Sequence, residues 1–289
     1  VVPGVSGGTM AFILGIYEEL IASIRSVDLF FARSLLKRDF KNAFEHARWP
    51  FLSAVAVGIF TAIFSIAQFL SWLLETHPVF IWSFFFGLVL ASVFYVCKEL
   101  ENWRLSAAAW MISGTVAAYY IVGLIPAETP ETVWFLFLSG AFAICAMILP
   151  GISGAFILVL LGKYAYVLNA VKSHDYLTLL IVAAGAVVGL VSFVRVLHWL
   201  FGKYKQITIA VLAGLMLGSL RKIWPFKKSL PVPDSLHGAD LWSSHYNVIP
   251  SDFNLEIILA FCFMLLGIFA VLSLNFIAEK KRTGETEII

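Results

Sequence analysis

The chain has 289 residues, of which 61% are hydrophobic and only 13% charged, and its formal net charge is +2. That balance excludes a soluble domain, which would need a far more polar surface, and gives no footing for nucleic-acid binding. The solvent for most of this surface is lipid. Apolar runs are continuous rather than alternating, so the fold class is an all-α integral membrane protein and not a barrel.

In chain order, the first feature is the segment Val2-Pro3-Gly4-Val5-Ser6-Gly7-Gly8-Thr9, followed by Glu18 and Glu19. Proline removes a backbone donor and glycine tolerates special dihedrals, so Pro-Gly is expected to end one helix and Ser6 to cap the next. Residues 25–48 carry six Lys/Arg among Val27, Leu29, Phe30, Leu35, Leu36, Phe40 and Phe44. They are expected to form an amphipathic helix on the membrane surface. Apolar runs at 49–74, 79–97 and 105–125 then approach or exceed the roughly 20 residues needed to span a bilayer.

An apolar arm at 133–149 leads into Pro150-Gly151-Ile152-Ser153-Gly154 and a second arm running to about Val171. Spans follow at 177–201, 207–220 and 254–278, the middle one short enough to need little tilt or a thinned bilayer. Between the last two lies 221–253, whose part from 229 on lacks Lys and Arg and holds Pro231, Pro233, Asp234, Asp240 and Asp252, as an external loop would. Cys97, Cys145 and Cys262 lie in or at the ends of apolar runs without paired spacing and read as buried small hydrophobes.

The chain repeats itself. Pro3-Gly4-Val5-Ser6-Gly7 matches Pro150-Gly151-Ile152-Ser153-Gly154 at an offset of 147, continuing through Gly15/Gly162 and Tyr17/Tyr164. Gly58/Gly185, Trp72/Trp199, Gly87/Gly214 and Ser92/Ser219 match at an offset of 127, the difference being the 25–48 insertion. Two repeats are expected, 1–125 and 126–289, each a re-entrant helical hairpin followed by three transmembrane helices. The chain opens at Val1 inside the motif, so a leading arm like 133–149 is expected before it. An odd number of spans inverts the second repeat relative to the first, a plan common in secondary transporters. With 25–48, 98–104, 202–206 and the C-terminal tail cytoplasmic, that side holds thirteen Lys/Arg against five opposite, as the positive-inside rule requires. Arg221, Lys222, Lys227 and Lys228 are the exception on the outer side.

A helix starting inside the membrane leaves N–H groups without partners and directs its positive dipole end there, which attracts an anion. Ser6, Gly7, Gly8 and Thr9 are therefore candidate phosphate ligands, with Ser153 and Gly154 repeating them in a copy poorer in donors. Charges inside apolar runs are costly and face the protein interior or a cavity. Arg195, aligned with Gln68 of the first half, is the candidate for the substrate's negative charge. Glu18 or Glu19 is a candidate proton carrier, or else an interfacial carboxylate facing the basic 25–48 segment. Lys163 either attracts phosphate or snorkels, and His198 is a packed polar residue or a relay beside Arg195. Gly185/Gly189 and Gly214/Gly218 supply small faces for helix packing. No metal site, Walker loop, GxGxxG fingerprint or Ser-His-Asp order appears, so no cofactor is assigned.

The first motif, continuing as Ala11-Phe12-Ile13-Leu14-Gly15-Ile16-Tyr17-Glu18, and the second, with Leu161-Gly162-Lys163-Tyr164, resemble the bacterial polyprenyl-phosphate translocase family of PopT type over essentially the whole chain. The second motif departs from the first in having Lys163 and Ala165 where the first has Ile16 and Glu18. The resemblance implies recycling of undecaprenyl phosphate from the outer to the cytoplasmic leaflet of the bacterial cytoplasmic membrane, driven by an ion or proton gradient, with the lipid as partner and the C-terminus cytoplasmic. A membrane polyprenyl-pyrophosphate phosphatase is the alternative from another class. Such enzymes typically follow Pro-Gly-x-Ser with Arg, where Gly7 and Gly154 stand here. A transporter or channel for a small soluble anion is the third reading.

Overall fold

The computed structural model describes residues 6–100, 105–127, 129–229, 245–250 and 254–286. The Pro3-Gly4 turn of the first motif, residues 101–104 and most of the 229–253 loop therefore lie outside it. The first half contains α1 (Gly7–Ile13), α2 (Tyr17–Arg25), α3 (Leu29–Leu36), α4 (Phe40–His46), α5 (Trp49–Thr76), α6 (Pro78–Lys98) and α7 (Leu105–Ile121). The second contains α8 (Val133–Ile148), α9 (Gly154–Leu160), α10 (Tyr164–Lys172), α11 (Tyr176–Ile223), strands β1 (Lys227–Ser229) and β2 (His245–Asn247), and α12 (Leu255–Thr286). Among the described residues four helices are long and apolar enough to cross a membrane, within α5, α6, α11 and α12. The protein is a multi-pass, all-α membrane protein.

Four expectations need correction. The 25–48 stretch is two short helices rather than one, because Arg38 takes a left-handed φ of 58° and Asp39 starts a new helix by accepting from the Asn42 N–H. A contact of 3.4 Å between His46 Nε2 and Asp28 Oδ1 folds α4 back toward the start of α3. The second arm of the 150–154 motif is not continuous to Val171. Gly162, at φ +62°, breaks it into α9 and α10, bent by 106°. The runs 177–201 and 207–220 are two helices, but they join directly at a kink within α11 rather than through a loop over 202–206. The kink at Tyr204 (φ −135°, ψ 43°) marks the boundary between them. Finally, the 221–253 loop begins as helix up to Ile223 and then forms the antiparallel pair β1–β2, tied down by Trp224 Nε1 donating to the Val248 carbonyl at 2.9 Å.

The two halves share local geometry at the offsets seen in the sequence. The bounds of α1 and α2 fall on those of α9 and α10 when shifted by 147, and Gly15 (φ 66°) matches Gly162. His77, between α5 and α6, has φ −135° and ψ 54°, and the corresponding Tyr204 repeats that joint.

Small residues bring helices to backbone contact in the same pattern twice. A side chain on Gly87 of α6 would strike the Met264 carbonyl of α12, and one on Gly267 the Phe84 carbonyl. Gly214 of α11 meets the Met111 carbonyl of α7 in the same way, and Gly114 the Val211 carbonyl. Gly218 packs on α7 and Gly185 and Gly189 on α8, so both glycine pairs are packing faces as expected. Gly58, equivalent to Gly185, instead faces open space on α5, a helix whose Val57, Phe60, Phe64 and Phe69 are exposed. Such close approaches leave dispersion and backbone contact to hold helices that lipid does not drive together.

Candidate functional site

Ser6 sits before α1 in extended backbone (φ −81°, ψ 153°), and its Oγ accepts from the Thr9 N–H at 3.3 Å, the capping bond expected of it. The same Oγ donates to the Leu149 carbonyl at 2.7 Å. Thr9 Oγ1 accepts from the Gly151 N–H at 2.9 Å, and Tyr17 on α2 donates its hydroxyl to the Ile148 carbonyl at 3.3 Å. A side chain on Gly8 would overlap that Ile148 carbonyl. The start of α1 thus meets the turn of the second motif. Ser6 and Thr9 are buried (3% and 0% exposed), and so are Pro150 and Ile152. Both hydroxyls are therefore engaged with the backbone of the other motif.

Gly7 differs from its neighbours. It is exposed, and a side chain there would meet nothing within 4 Å. The N–H groups of Gly7 and Gly8 have no hydrogen-bond partner among the described residues, as the first turn of a helix leaves them.

The second copy is arranged differently. Gly151, at φ +90°, lies against α11, where a side chain would crowd Leu215, Met216 and Ser219. Ser153 precedes α9 in extended backbone but makes no side-chain capping bond. Gly154 faces α8, a Cβ there lying 2.5 Å from the Ala143 carbonyl, so its lack of a side chain serves the hairpin turn. At the other end of that hairpin, the Ala127 N–H donates to the Leu160 carbonyl at 2.9 Å and Thr129 Oγ1 donates to that of Leu161. Lys163, only 2% exposed, donates to the Thr129 carbonyl at 2.8 Å and lies over the rings of Phe135 and Tyr166. It neither snorkels nor faces the motif turns; it closes the hairpin mouth.

The remaining candidates make no hydrogen bond to the motif turns among the described residues. Arg195 is exposed on α11 with no hydrogen bond or ion pair among the described residues, although its neighbour Val194 is buried in the cluster that holds Ile148 and Ile152. His198 is half-buried on the same helix, and Gln68 is exposed on α5. Glu19 is exposed, whereas Glu18 pairs at 2.7 Å with Lys205, one residue beyond the Tyr204 kink, rather than with the 25–48 segment. Tyr17 was the residue missed. Its only signal was its place in the Gly15/Tyr17 repeat match.

Ser6→Ala tests the contact of α1 with the second motif's turn. It removes a cap and leaves a buried carbonyl without its donor, a loss of about 1–3 kcal/mol. The expected result is a clear fall in the thermal midpoint of the purified protein in detergent. An unchanged midpoint would mean the Ser6–Leu149 hydrogen bond carries no weight.

The chain is 44% identical over 286 residues to a polyprenyl-phosphate transporter of Vibrio cholerae, covering 97% of this chain and 93% of that protein. It is 30% identical over 246 residues to a polyprenyl-phosphate transporter of Staphylococcus aureus, covering 78% of this chain and 81% of that protein. No solved structure matches the chain. The family model described as VCA0040-like, undecaprenyl phosphate translocase-like, matches residues 1–241, and the chain belongs to that family of transporters.

Proposed function

We propose that the protein is a translocase that recycles undecaprenyl phosphate from the outer to the cytoplasmic leaflet of the bacterial cytoplasmic membrane. Its phosphate headgroup is handled where the start of α1 meets the turn of the second motif, while the isoprenoid tail stays in lipid. The observation that carries this reading is that contact itself. It fixes α1 so that the exposed Gly7, with its N–H donor, borders open space beside an otherwise buried junction. An anion at that place would meet backbone donors and the positive end of α1. The names of the relatives, both polyprenyl-phosphate transporters, favour this lipid over a small soluble anion.

The reading includes two inverted repeats with re-entrant hairpins. Support comes from the closure of the α8–α9 hairpin at residues 127–129 and 160–163, which returns the chain to the side from which it came. The matched joints at His77 and Tyr204 are the places where two halves of this kind would flex. Glu18 is the proposed proton carrier. Taking up a proton would break its ion pair with Lys205 at the Tyr204 joint, which links a gradient to helix motion. Arg195 guides the phosphate from the exposed side of α11.

The test is a leaflet-accessibility assay with undecaprenyl phosphate in proteoliposomes, in which the protein should equilibrate the lipid between leaflets. Failure to do so, with folded protein and an imposed gradient of either sign, overturns the reading. In the same assay Arg195→Ala should slow transport by about tenfold or more and Arg195→Lys by less, since guanidinium binds phosphate as a fork and ammonium does not. Unchanged transport by Arg195→Ala removes Arg195 from the path.

A further inference from the structure

Glycines hold α8 and α11 at backbone contact, with Gly140 against the Val182 carbonyl and Gly185 against that of Phe137. Beside that seam lies an open crevice of about 500 Å³, lined by Val133, Trp134, Phe137, Ile181 and Ala184. Its size falls within the roughly 300–1,000 Å³ of small-molecule sites, and no charged residue lines it. Because the two helices meet through main chain, the walls of the crevice are fixed in place. The rings of Trp134 and Phe137 stand nearly parallel, 12° apart in plane with centroids 6.3 Å apart, and make one wall flat.

The crevice opens onto a track that ends in a charge. Before the Tyr204 kink α11 is regular, and Ile181, Ala184, Val188, Val191 and Arg195 follow one another at helical spacing on a single stripe. Ala184, Val188 and Arg195 are exposed, and Ile181 and Val191 are half-buried. Arg195 lies eleven residues past Ala184, about 17 Å at 1.5 Å per residue. The helix α8 runs parallel to this part of α11, since Gly185 meets Phe137 and Gly189 meets Ala141. Carried on at that offset, Arg195 comes level with Met147, next to the Ile148 and Leu149 carbonyls that accept from Tyr17 and Ser6. Apolar walls thus stand at one end of the stripe and a guanidinium at the level of the motif turn. A molecule with an anionic head and a long apolar chain matches both ends, whereas a small anion or a neutral chain matches one.

We infer that this crevice seats the isoprenoid chain of the lipid whose phosphate meets Arg195. The site deepens the translocase reading and rests on it for that phosphate. Each unit of a polyprenyl chain carries a planar double bond and a methyl branch. The flat units lie on the Trp134–Phe137 wall, and the branches fill the space left by the small Ala184. Such a chain has fewer freely rotating bonds than a saturated chain of equal length, so holding it costs less entropy. The crevice therefore selects the lipid by its tail, which Arg195 by itself does not do. The order along α11 seats the headgroup toward the Tyr204 joint and the tail toward Tyr176. In the proposed topology that is the orientation of a lipid in the cytoplasmic leaflet.

The full chain in nanodiscs is titrated with undecaprenyl phosphate, hexadecyl phosphate or undecaprenol, and bound lipid is counted by native mass spectrometry. Wild type is expected to bind undecaprenyl phosphate about tenfold or more tighter than hexadecyl phosphate, the scale of burying one large apolar group. Ala184→Trp fills the crevice from an exposed position and should abolish that preference while hexadecyl phosphate still binds. Arg195→Ala should weaken both phosphates alike. Ile112→Trp, at an exposed residue of α7 outside the lining, is the control and should change nothing. Should Ala184→Trp not fold, Trp134→Leu, which removes the flat wall, carries the same test. If wild type shows no preference, or the folded crevice variants keep it, the tail is not seated here and the translocase reading stands. If neither phosphate binds, the translocase reading fails and undecaprenol decides the crevice. Undecaprenol binding that Ala184→Trp removes then upholds the seat, and binding that it leaves, or none, overturns it.

Discussion

Gly8→Ala should cost the protein its fold, or at least about 3 kcal/mol, the upper end of what overpacking usually costs. A single methyl is enough because of what it meets. The obstacle is the Ile148 carbonyl oxygen, a backbone atom at the end of α8, with Leu149 backbone just behind it. No rotamer change relieves that overlap. Only separation of α1 from the 148–151 turn does, and separation breaks the Ser6–Leu149 and Thr9–Gly151 hydrogen bonds and pulls Tyr17 from Ile148. Expression in the membrane, monodispersity in detergent and thermal midpoint are the measurements. A Gly8→Ala protein that melts with wild type would show that α1 and this turn do not meet as described.

Gly7→Val should have the opposite profile, with stability kept and transport lost. A side chain at Gly7 meets nothing within 4 Å, and valine at the start of a helix costs less than about 1 kcal/mol in propensity. The fold should tolerate it. The added bulk, however, fills the space beside the N–H donors of α1, where the proposed function puts the phosphate. Transport of undecaprenyl phosphate in proteoliposomes should therefore fall to background while the thermal midpoint stays near wild type. Normal transport by this variant would falsify phosphate handling at the first motif. Two adjacent glycines thus separate a structural role from a functional one, and each substitution is the control for the other.

Much of the fold was legible because lipid imposes a simple code. Runs of about 20 apolar residues announce spans, and the bounds of α5, α6, α8 and α12 follow them closely at their starts. The joint at Tyr204 was harder to read. Lys203 and Lys205 look like a loop between spans, yet the two helices meet there with only Tyr204 leaving helical backbone. The break after α9 was missed for the opposite reason, since only Gly162 and Lys163 interrupt an otherwise apolar run where the chain turns by 106°. In the site, the repeated motif marked residues that meet across the two halves but not which partners they take. A Ser-Gly-Gly-Thr sequence advertises donors for an anion. That Ser6 and Thr9 bond the backbone of the other motif depends on long-range packing, of which a local pattern holds no trace. Arg195 and Glu18 divide in the same way. The cost of charge in lipid marked both, but only geometry pairs Glu18 with Lys205 and leaves Arg195 exposed.

The contact between Gly8 and Ile148 also bears on how the two halves can diverge. Where a glycine faces a side chain, as Gly123 faces the guanidinium of Arg221, a methyl gained on one partner can be offset by atoms lost from the other. Gly8 faces an atom that every amino acid carries. No codon change at position 148 removes that oxygen, so an allele with alanine at position 8 has no simple intragenic suppressor at the point of contact. Revertants would have to restore glycine or shift the whole 149–151 turn. With α1 interlocked through main chain with the 148–151 turn, position 8 cannot drift from glycine whatever side chains that turn carries.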